Sequence, residues 1–503
     1  TKEDYIEKQS KRKEIFFNEV LAKDEIDRLL EPKAFTNITK YDSKGESKPI
    51  KFNRNAKGTI TDNLIIKGNN LLALHSLKQE FKGKVKLIYI DPPYNTDKDE
   101  FKYNDSFTHS VWLTFMRNRL KIAKELLKEN GIIWISIDNK EQGYLKVLCD
   151  NIFKRKNFIG EIIWQTATDN NPSQIITEHE YLLCYSKNKD IQPKWRAKSE
   201  NAEKIYTKYI KLKLKNDNPK QIQKLLREWI KKNESNLVKV THYDNVDEKG
   251  VFHDADIANT KFGGYKYDVT HPNGKVCKVP DKGYRYPKES MDEMIRNNDI
   301  MFGKDETTLI KPKKRVEYVK DSLRSIIYED GRSSTKELEK LFYKDFFNNP
   351  KSVNVLKRLF NFTSNGDDIV LDFFIGSGTT PAVAHKLKRR YIGIEQMDYI
   401  NDVAIYRLEK VIAGEQGGVS KDANWQGGGS FIYAELLEYN QKYISQIQET
   451  KTKKDVLKIW EEMEEKAFLS FQFNKDIFNE RLDAFKTATL EMMQQYLVEI
   501  LDK

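Results

Sequence analysis

The sequence predicts an α/β protein built on a parallel sheet, and three stretches carry that prediction. Leu87-Ile88-Tyr89-Ile90 is a short apolar run that stops at Asp91-Pro92-Pro93-Tyr94. Ile369-Val370-Leu371 is a second, ending in Asp372 and entering the glycine-rich turn Phe373-Phe374-Ile375-Gly376-Ser377-Gly378-Thr379-Thr380. Tyr391-Ile392-Gly393-Ile394 is a third, ending in Glu395. Unbroken apolar runs of this length read as strands covered on both faces, the habit of parallel sheets. In such sheets ligands gather at the carboxyl ends of the strands, where all three runs carry an acid.

Along the chain, residues 1–57 alternate charged and apolar positions and then turn polar, so an N-terminal helical arm and linker are expected. Asp62–Leu71 reads as a strand, a turn at Asn69 and the start of a helix, which Asn69 could cap. Val111–Leu127 has apolar residues at helical spacing, and Gly131–Ile137 is a strand ending at Asp138. Asp138 is expected to line a pocket or to cap the next helix. Ile159–Gln165 and Glu180–Tyr185 read as two further strands.

From residue 168 the character changes. Between Lys187 and Ser235 fifteen Lys/Arg, Lys211 and Lys213 among them, face six acids, with Tyr206, Tyr209 and Trp229 interleaved. Such lysines are either a solvated face or phosphate contacts. Asn273-Gly274 between Tyr265–Thr270 and Lys275–Val279 predicts a hairpin. Ser334–Phe360 reads as helical, with Pro350 restarting a helix and Lys351 in its first turn. Asn401–Ile412 is a further helix, Gly414–Ser430 is glycine-rich, and residues 434–503 predict two or three amphipathic helices.

The chemistry follows from the loops. Two prolines stiffen the turn after Asp91 and remove two backbone donors, leaving carbonyls free to accept. Asp91 and the Pro92 carbonyl can take hydrogen bonds from an amine while Tyr94 offers a ring face, which suits alkylation of an exocyclic base nitrogen. The glycines let backbone approach a ligand closely, and an acid after the next strand suits a ribose diol. No Gly-Lys-Ser/Thr follows, so this is not a phosphate loop. The chain has 503 residues, 87 Lys/Arg against 76 Asp/Glu and a net charge of +11, which fits a polyanionic partner. Three cysteines without a C-x-x-C pair or a histidine cluster speak against structural zinc and fit a reducing cytoplasm. None follows a proline, so the thiolate route to carbon 5 of cytosine is not expected. No apolar run is long enough to span a bilayer.

Together, D-P-P-Y at 91–94 and F-x-G-x-G at 374–378 resemble the motifs of the S-adenosylmethionine-dependent amino-methyltransferases of DNA, in the permuted order of their β class. From about residue 60 to 438 the chain more closely resembles the modification (Mod) subunits of type III restriction–modification systems, which are N6-adenine methyltransferases. The resemblance implies a Rossmann-like methyltransferase core in two parts, 58–167 and 322–415. It also implies an inserted α+β target-recognition domain at 168–321, and a glycine-rich linker with C-terminal helices for oligomer or partner contact at 416–503. It implies that Asp91, Pro92, Pro93 and Tyr94 are catalytic. Asn69, Lys351, Asp372, Phe374, Gly376, Gly378, Thr379 and Glu395 would hold S-adenosylmethionine, Lys351 at its methionine end. Asn95, Phe107 and Asp138 would line the base pocket or a flap over 97–108, and Lys211, Lys213, Lys275 and Arg285 would contact DNA. The target adenine would be flipped from duplex DNA. No metal is implied. A homodimer, a restriction subunit with helicase and nuclease activity, and a cytoplasmic location are the expected setting.

Overall fold

The computed structural model describes residues 30–48, 51–95, 108–166, 174–339, 341–342, 350–437, 440–467, 469 and 473–501. Phe107 and most of the expected flap lie outside them, as do residues 1–29. Eleven strands build the main sheet: β1 (Phe35–Asp42), β2 (Gly45–Ser47), β3 (Leu64–Lys67), β4 (Val85–Ile90), β5 (Leu127–Ile137), β6 (Phe158–Gln165), β7 (His179–Ser186), β8 (Ile326–Tyr328), β9 (Ile369–Asp372), β10 (Arg390–Glu395) and β11 (Ser430–Leu436). Their order is β8-β6-β7-β5-β4-β9-β10-β3-β11-β1-β2. The six central strands, β5 to β11 in that order, run parallel.

Register decides what meets what. Ile88 on β4 pairs with Ile133 on β5 and with Leu371 on β9, while Asp372 on β9 pairs with Gly393 on β10. Asp91, Asp138, Asp372 and Glu395 therefore finish their strands along one edge, although β4 and β9 lie far apart in the chain. Ile88, Ile90, Ile133, Ile135, Leu371 and Ile394 are fully buried, each worth roughly 1.5–3 kcal/mol of apolar burial. The helices that matter for this edge are α1 (Asn70–Phe81), α2 (His109–Leu126), α3 (Gln142–Cys149), α4 (Val353–Thr363) and α5 (Thr379–Lys386).

Several expectations are corrected. The N-terminal arm is not helical over residues 35–47: β1 pairs antiparallel with β11, and Tyr41 stacks on Phe431 at 4.8 Å. The glycine-rich stretch is not a linker, because it leads into β11, a buried strand of the main sheet. Pro350 does not restart a helix: Ser352 caps α4, so Lys351 precedes the helix instead of occupying its first turn. After β11 the described chain forms five short helices, Gln441–Glu449, Lys453–Lys466, Lys475–Glu480, Leu482–Thr487 and Leu490–Glu499. Side-chain caps at Thr452, Asn474 and Thr489 break them, and they share a core of their own around Ile447, Trp460, Met463, Met493 and Leu497.

Lys194–Leu323 forms a second compact unit. It begins later than the expected boundary at 168 because β7, at 179–186, belongs to the main sheet. Its helices Glu200–Lys213 and Pro219–Lys232 bury Ile205, Tyr209, Ile222, Leu226 and Ile230 and expose their lysines. Its four-stranded sheet comprises Asn245–Asp247, Gly250–Asp254, Ile300–Met301 and Lys311–Arg315. The predicted hairpin reduces to a turn with one bridge, Thr270 to Val276, closed by His271 N to Lys275 O at 2.7 Å. Gly274 there holds φ +87°, which glycine alone adopts freely. Among the described residues no helix is long and apolar enough to cross a membrane.

Candidate active site

The carboxyl end of β4 delivers Asp91, and the proline pair turns the chain away from the sheet. Trp112, in the first turn of α2, donates Nε1 to the Pro93 carbonyl at 2.8 Å and fixes the turn. That leaves the Asp91 carboxylate and the Tyr94 ring beside a buried lysine. Lys351 Nζ lies 3.3 Å from Asp91 Oδ1, 2.7 Å from Glu180 Oε2 and 2.6 Å from the Tyr94 hydroxyl, to which it donates. It also sits 4.7 Å above the Tyr94 ring and 5.6 Å from the Trp164 ring. Tyr94 OH donates to Glu180 Oε2 at 2.9 Å.

Two carboxylates thus share one ammonium. Glu180 takes the well-directed hydrogen bond, whereas Asp91 Oδ1 is buried and receives none despite its closeness to Lys351. Burial pushes the Asp91 carboxyl up and Glu180 pushes it further, against the lowering pull of Lys351. Burial alone would lower the Lys351 ammonium, but Asp91 and Glu180 outweigh it and hold it above its usual value. Sequence reading missed Glu180: as the second residue of an ordinary apolar strand it had no spacing signal, and only the antiparallel pairing of β7 with β5 aims it here.

One strand over, the glycine turn is organised from within. Gly376 and Gly378 hold φ +48° and +74°. A Cβ on Gly378 would stand 3.1 Å from the Ala404 Cα, so backbone packs where a side chain would go. Glu395, at the end of β10, accepts from Gly376 N at 3.0 Å, Gln396 N at 2.9 Å and Met397 N at 3.1 Å. Asp372 accepts from Phe374 N at 2.9 Å, and burial lifts its carboxyl to about 7. Phe374 itself is half-buried, tilted against Phe115 at 5.9 Å.

The other expected cofactor residues are engaged in contacts within the fold. Thr379 is buried and accepts from Arg407 at 2.8 Å, a bond that ties α5 to the following helix. Asn69 caps α1, accepting from Leu71 N and Leu72 N. Its neighbour Asn70, not singled out by sequence, donates to the Phe373 carbonyl at 2.8 Å and accepts from Arg119 at 2.6 Å. Lys351 lies with the D-P-P-Y loop. Asn95 is buried against Glu141, and Asp138 accepts from Lys140 N at 3.0 Å. In the second unit Lys211 and Lys213 are exposed, Lys275 is paired with Glu306 at 2.9 Å, and the Arg285 backbone N donates to Ile257 O.

A tight turn with two glycines at positive φ, flanked by the buried acids Asp372 and Glu395 at the carboxyl ends of two parallel strands, fits a nucleoside-bearing ligand. Beside it the D-P-P-Y loop offers a buried acceptor, a proline carbonyl and an aromatic face. Among the described residues no cluster of three metal-ligating side chains occurs.

A family model described as DNA methylase (N6_N4_Mtase) matches residues 85–406. The "Probable type III restriction-modification enzyme HindVI Mod subunit" of Haemophilus influenzae is 38% identical over 99% of this chain and 70% of its own length. The type III restriction-modification enzyme EcoP15I Mod subunit of Escherichia coli is 36% identical over 67% of this chain and 58% of its own. A putative DNA modification methylase of Thermus thermophilus, solved in complex with S-adenosyl-L-methionine, is 16% identical with a TM-score of 0.33, over 69% of this chain and 94% of that one.

Proposed function

The chain belongs to the N6/N4 family of DNA methylases, and on that premise we propose that it methylates adenine N6 in duplex DNA as the modification and recognition subunit of a type III restriction–modification system. The observation that carries the reading is Asp91 Oδ1, a buried acceptor with no hydrogen bond among the described residues, one strand away from the glycine turn. Adenine N6 has two hydrogens to give and a lone pair delocalised into the ring. Asp91 and the Pro92 carbonyl accept those hydrogens and draw the nitrogen toward tetrahedral geometry, while Tyr94 stacks on the flipped base. Asp91, raised by burial, is also suited to receive the proton that the reaction releases.

Gly376, Gly378, Phe374, Asp372 and Glu395 would hold S-adenosylmethionine, which when bound supplies an electrophilic methyl group. Asp372, lifted to about 7, and Glu395, which accepts from loop amides, would be the acids available to its hydroxyls. The Asp-Pro-Pro-Tyr form of the loop supports adenine over cytosine by resemblance to the family. The second unit carries 29 Lys/Arg against 20 Asp/Glu, a net +9 of the chain's +11, which supports target recognition there, with Lys211, Lys213 and Arg285 among the DNA contacts. Assembly as a homodimer with a restriction subunit rests on the similarity to Mod subunits; the mass of the purified protein in solution tests the dimer.

Single-molecule sequencing of DNA from a host with and without the gene tests the activity. N6-methyladenine on one strand of a short asymmetric motif is expected. A palindromic motif marked on both strands would make the enzyme solitary, and no mark would overturn the reading. Asp91→Ala should abolish transfer while leaving S-adenosylmethionine binding within about tenfold by calorimetry.

A further inference from the structure

Asn95 directly follows the acceptor loop, where the family resemblance implies a residue lining the base pocket or flap, but its side chain is turned to a buried carboxylate. It is 1% exposed and holds φ +61°, a left-handed backbone that an L side chain rarely adopts. Asparagine tolerates that conformation better than most, and it persists where the surroundings over-determine it. Here the surroundings centre on one carboxylate. Asn95 Nδ2 donates to Glu141 Oε1 at 2.6 Å, and the same oxygen lies 2.7 Å from His109 Nδ1. Glu141 is fully buried, and its second oxygen is buried with no hydrogen bond.

These residues arrive from three elements. Asn95 leaves β4, Glu141 follows β5, and His109 opens α2. Because β4 and β5 are parallel neighbours, Asn95 and Glu141 share the sheet edge that carries Asp91. The first turn of α2 therefore grips the loop twice, through Trp112 on the Pro93 carbonyl and through His109 and Glu141 on Asn95. A buried carboxylate with an unpaired oxygen is a poor choice for stability alone, since an apolar side chain of similar size would pack there at lower cost. Such an unsatisfied group asks for a role.

We propose that Glu141 is a positioning residue of the methyl-acceptor site: it locks Asn95 left-handed, with His109 as its second donor, and so sets the direction of the Tyr94 ring and the Pro92 carbonyl. The inference rests on the reading of Asp91–Tyr94 as the acceptor clamp. A clamp displaced by about an ångström is enough to cost on the order of a hundredfold in rate, so the geometry of the residue after Tyr94 matters to kcat more than to binding.

The test is steady-state methyl transfer to specific DNA by the full chain, with S-adenosylmethionine affinity measured alongside. Glu141→Ala and Asn95→Ala are each expected to lower kcat tenfold or more, with the KM for DNA and the affinity for S-adenosylmethionine within threefold. The double variant should be no slower than the slower single one. Glu141→Gln, which keeps an acceptor oxygen in place, should recover most of the rate. Should Glu141→Ala fail to fold, Asn95→Ala against Asn95→Gly decides, because glycine reaches positive φ freely: alanine should be several-fold slower. A kcat within twofold of wild type in the alanine variants, losses that multiply in the double variant, or equal rates for Asn95→Ala and Asn95→Gly would overturn the proposal. An active Asp91→Ala would instead overturn the acceptor reading beneath it.

Discussion

At the scale of single residues the site turns on how one ammonium is divided between two acids. Lys351 lowers the Asp91 carboxyl, while burial and Glu180 raise it. In the proposed mechanism transfer needs Asp91 ionised, so that it can accept from the amine. Replacing Lys351 by methionine removes the largest lowering influence and leaves burial and Glu180 opposed by Tyr94 alone, so the pKa of Asp91 should climb. The acid limb of kcat/KM against pH is then expected to move to higher pH in Lys351→Met. An unmoved limb would mean that Lys351 acts elsewhere, at the cofactor end where the family resemblance puts it. Sequence reading put Lys351 among the cofactor residues and in a first helical turn; in the structure it lies beside Asp91 and Tyr94 and precedes the helix. Ser352 is the better cap, because its hydroxyl accepts from Val355 N at 3.4 Å.

At the scale of elements, the strand–turn–helix around Gly376 and Gly378 is held by carboxylate-to-backbone bonds together with the buried side chains of Phe373 and Ile375. Gly378 has no room for a Cβ beside Ala404 and sits at positive φ. Gly378→Ala should therefore cost about 1–3 kcal/mol of stability, seen as a lower melting temperature, and weaken S-adenosylmethionine binding in the same variant. Unchanged melting and binding would show that α5 shifts freely, against its bond from Arg407 to Thr379. Gly376, Gly378 and Glu395 were all legible in sequence, because glycines spaced this closely after an apolar run dictate a tight turn at the end of a strand. The strand character of residues 35–47 was not. Phe35, Ile38 and Tyr41 there are scattered among polar residues, and the β form of 35–42 comes from pairing with β11 nearly 400 residues later.

At the scale of the molecule, charge is segregated. The unit spanning 194–323 holds nearly all of the net positive charge, and its two long helices bury an apolar stripe and expose lysines. Counterion release makes each phosphate contact worth about 0.9 in the slope of log affinity against log salt. Lys211→Gln with Lys213→Gln should thus weaken DNA binding and flatten that slope by about 2 if both touch phosphate, with S-adenosylmethionine binding unchanged. An unaltered slope would leave them as a solvated face. Lys275 is a weaker candidate, since its charge is already shared with Glu306.

The sequence by itself determined the stiff Asp-Pro-Pro-Tyr loop after a strand, the glycine turn, the acid after the next strand and the parallel α/β frame. Each of these is a local pattern in which residue type dictates backbone: prolines that stiffen, glycines that free, apolar runs that must be covered on both faces. Only the tertiary structure decided that Glu180 and Lys351 meet Asp91, that Glu141 fastens Asn95, and that β1 and β11 finish the sheet. Those facts depend on strand order and register, which bring together residues whose neighbours in the chain say nothing about their neighbours in space.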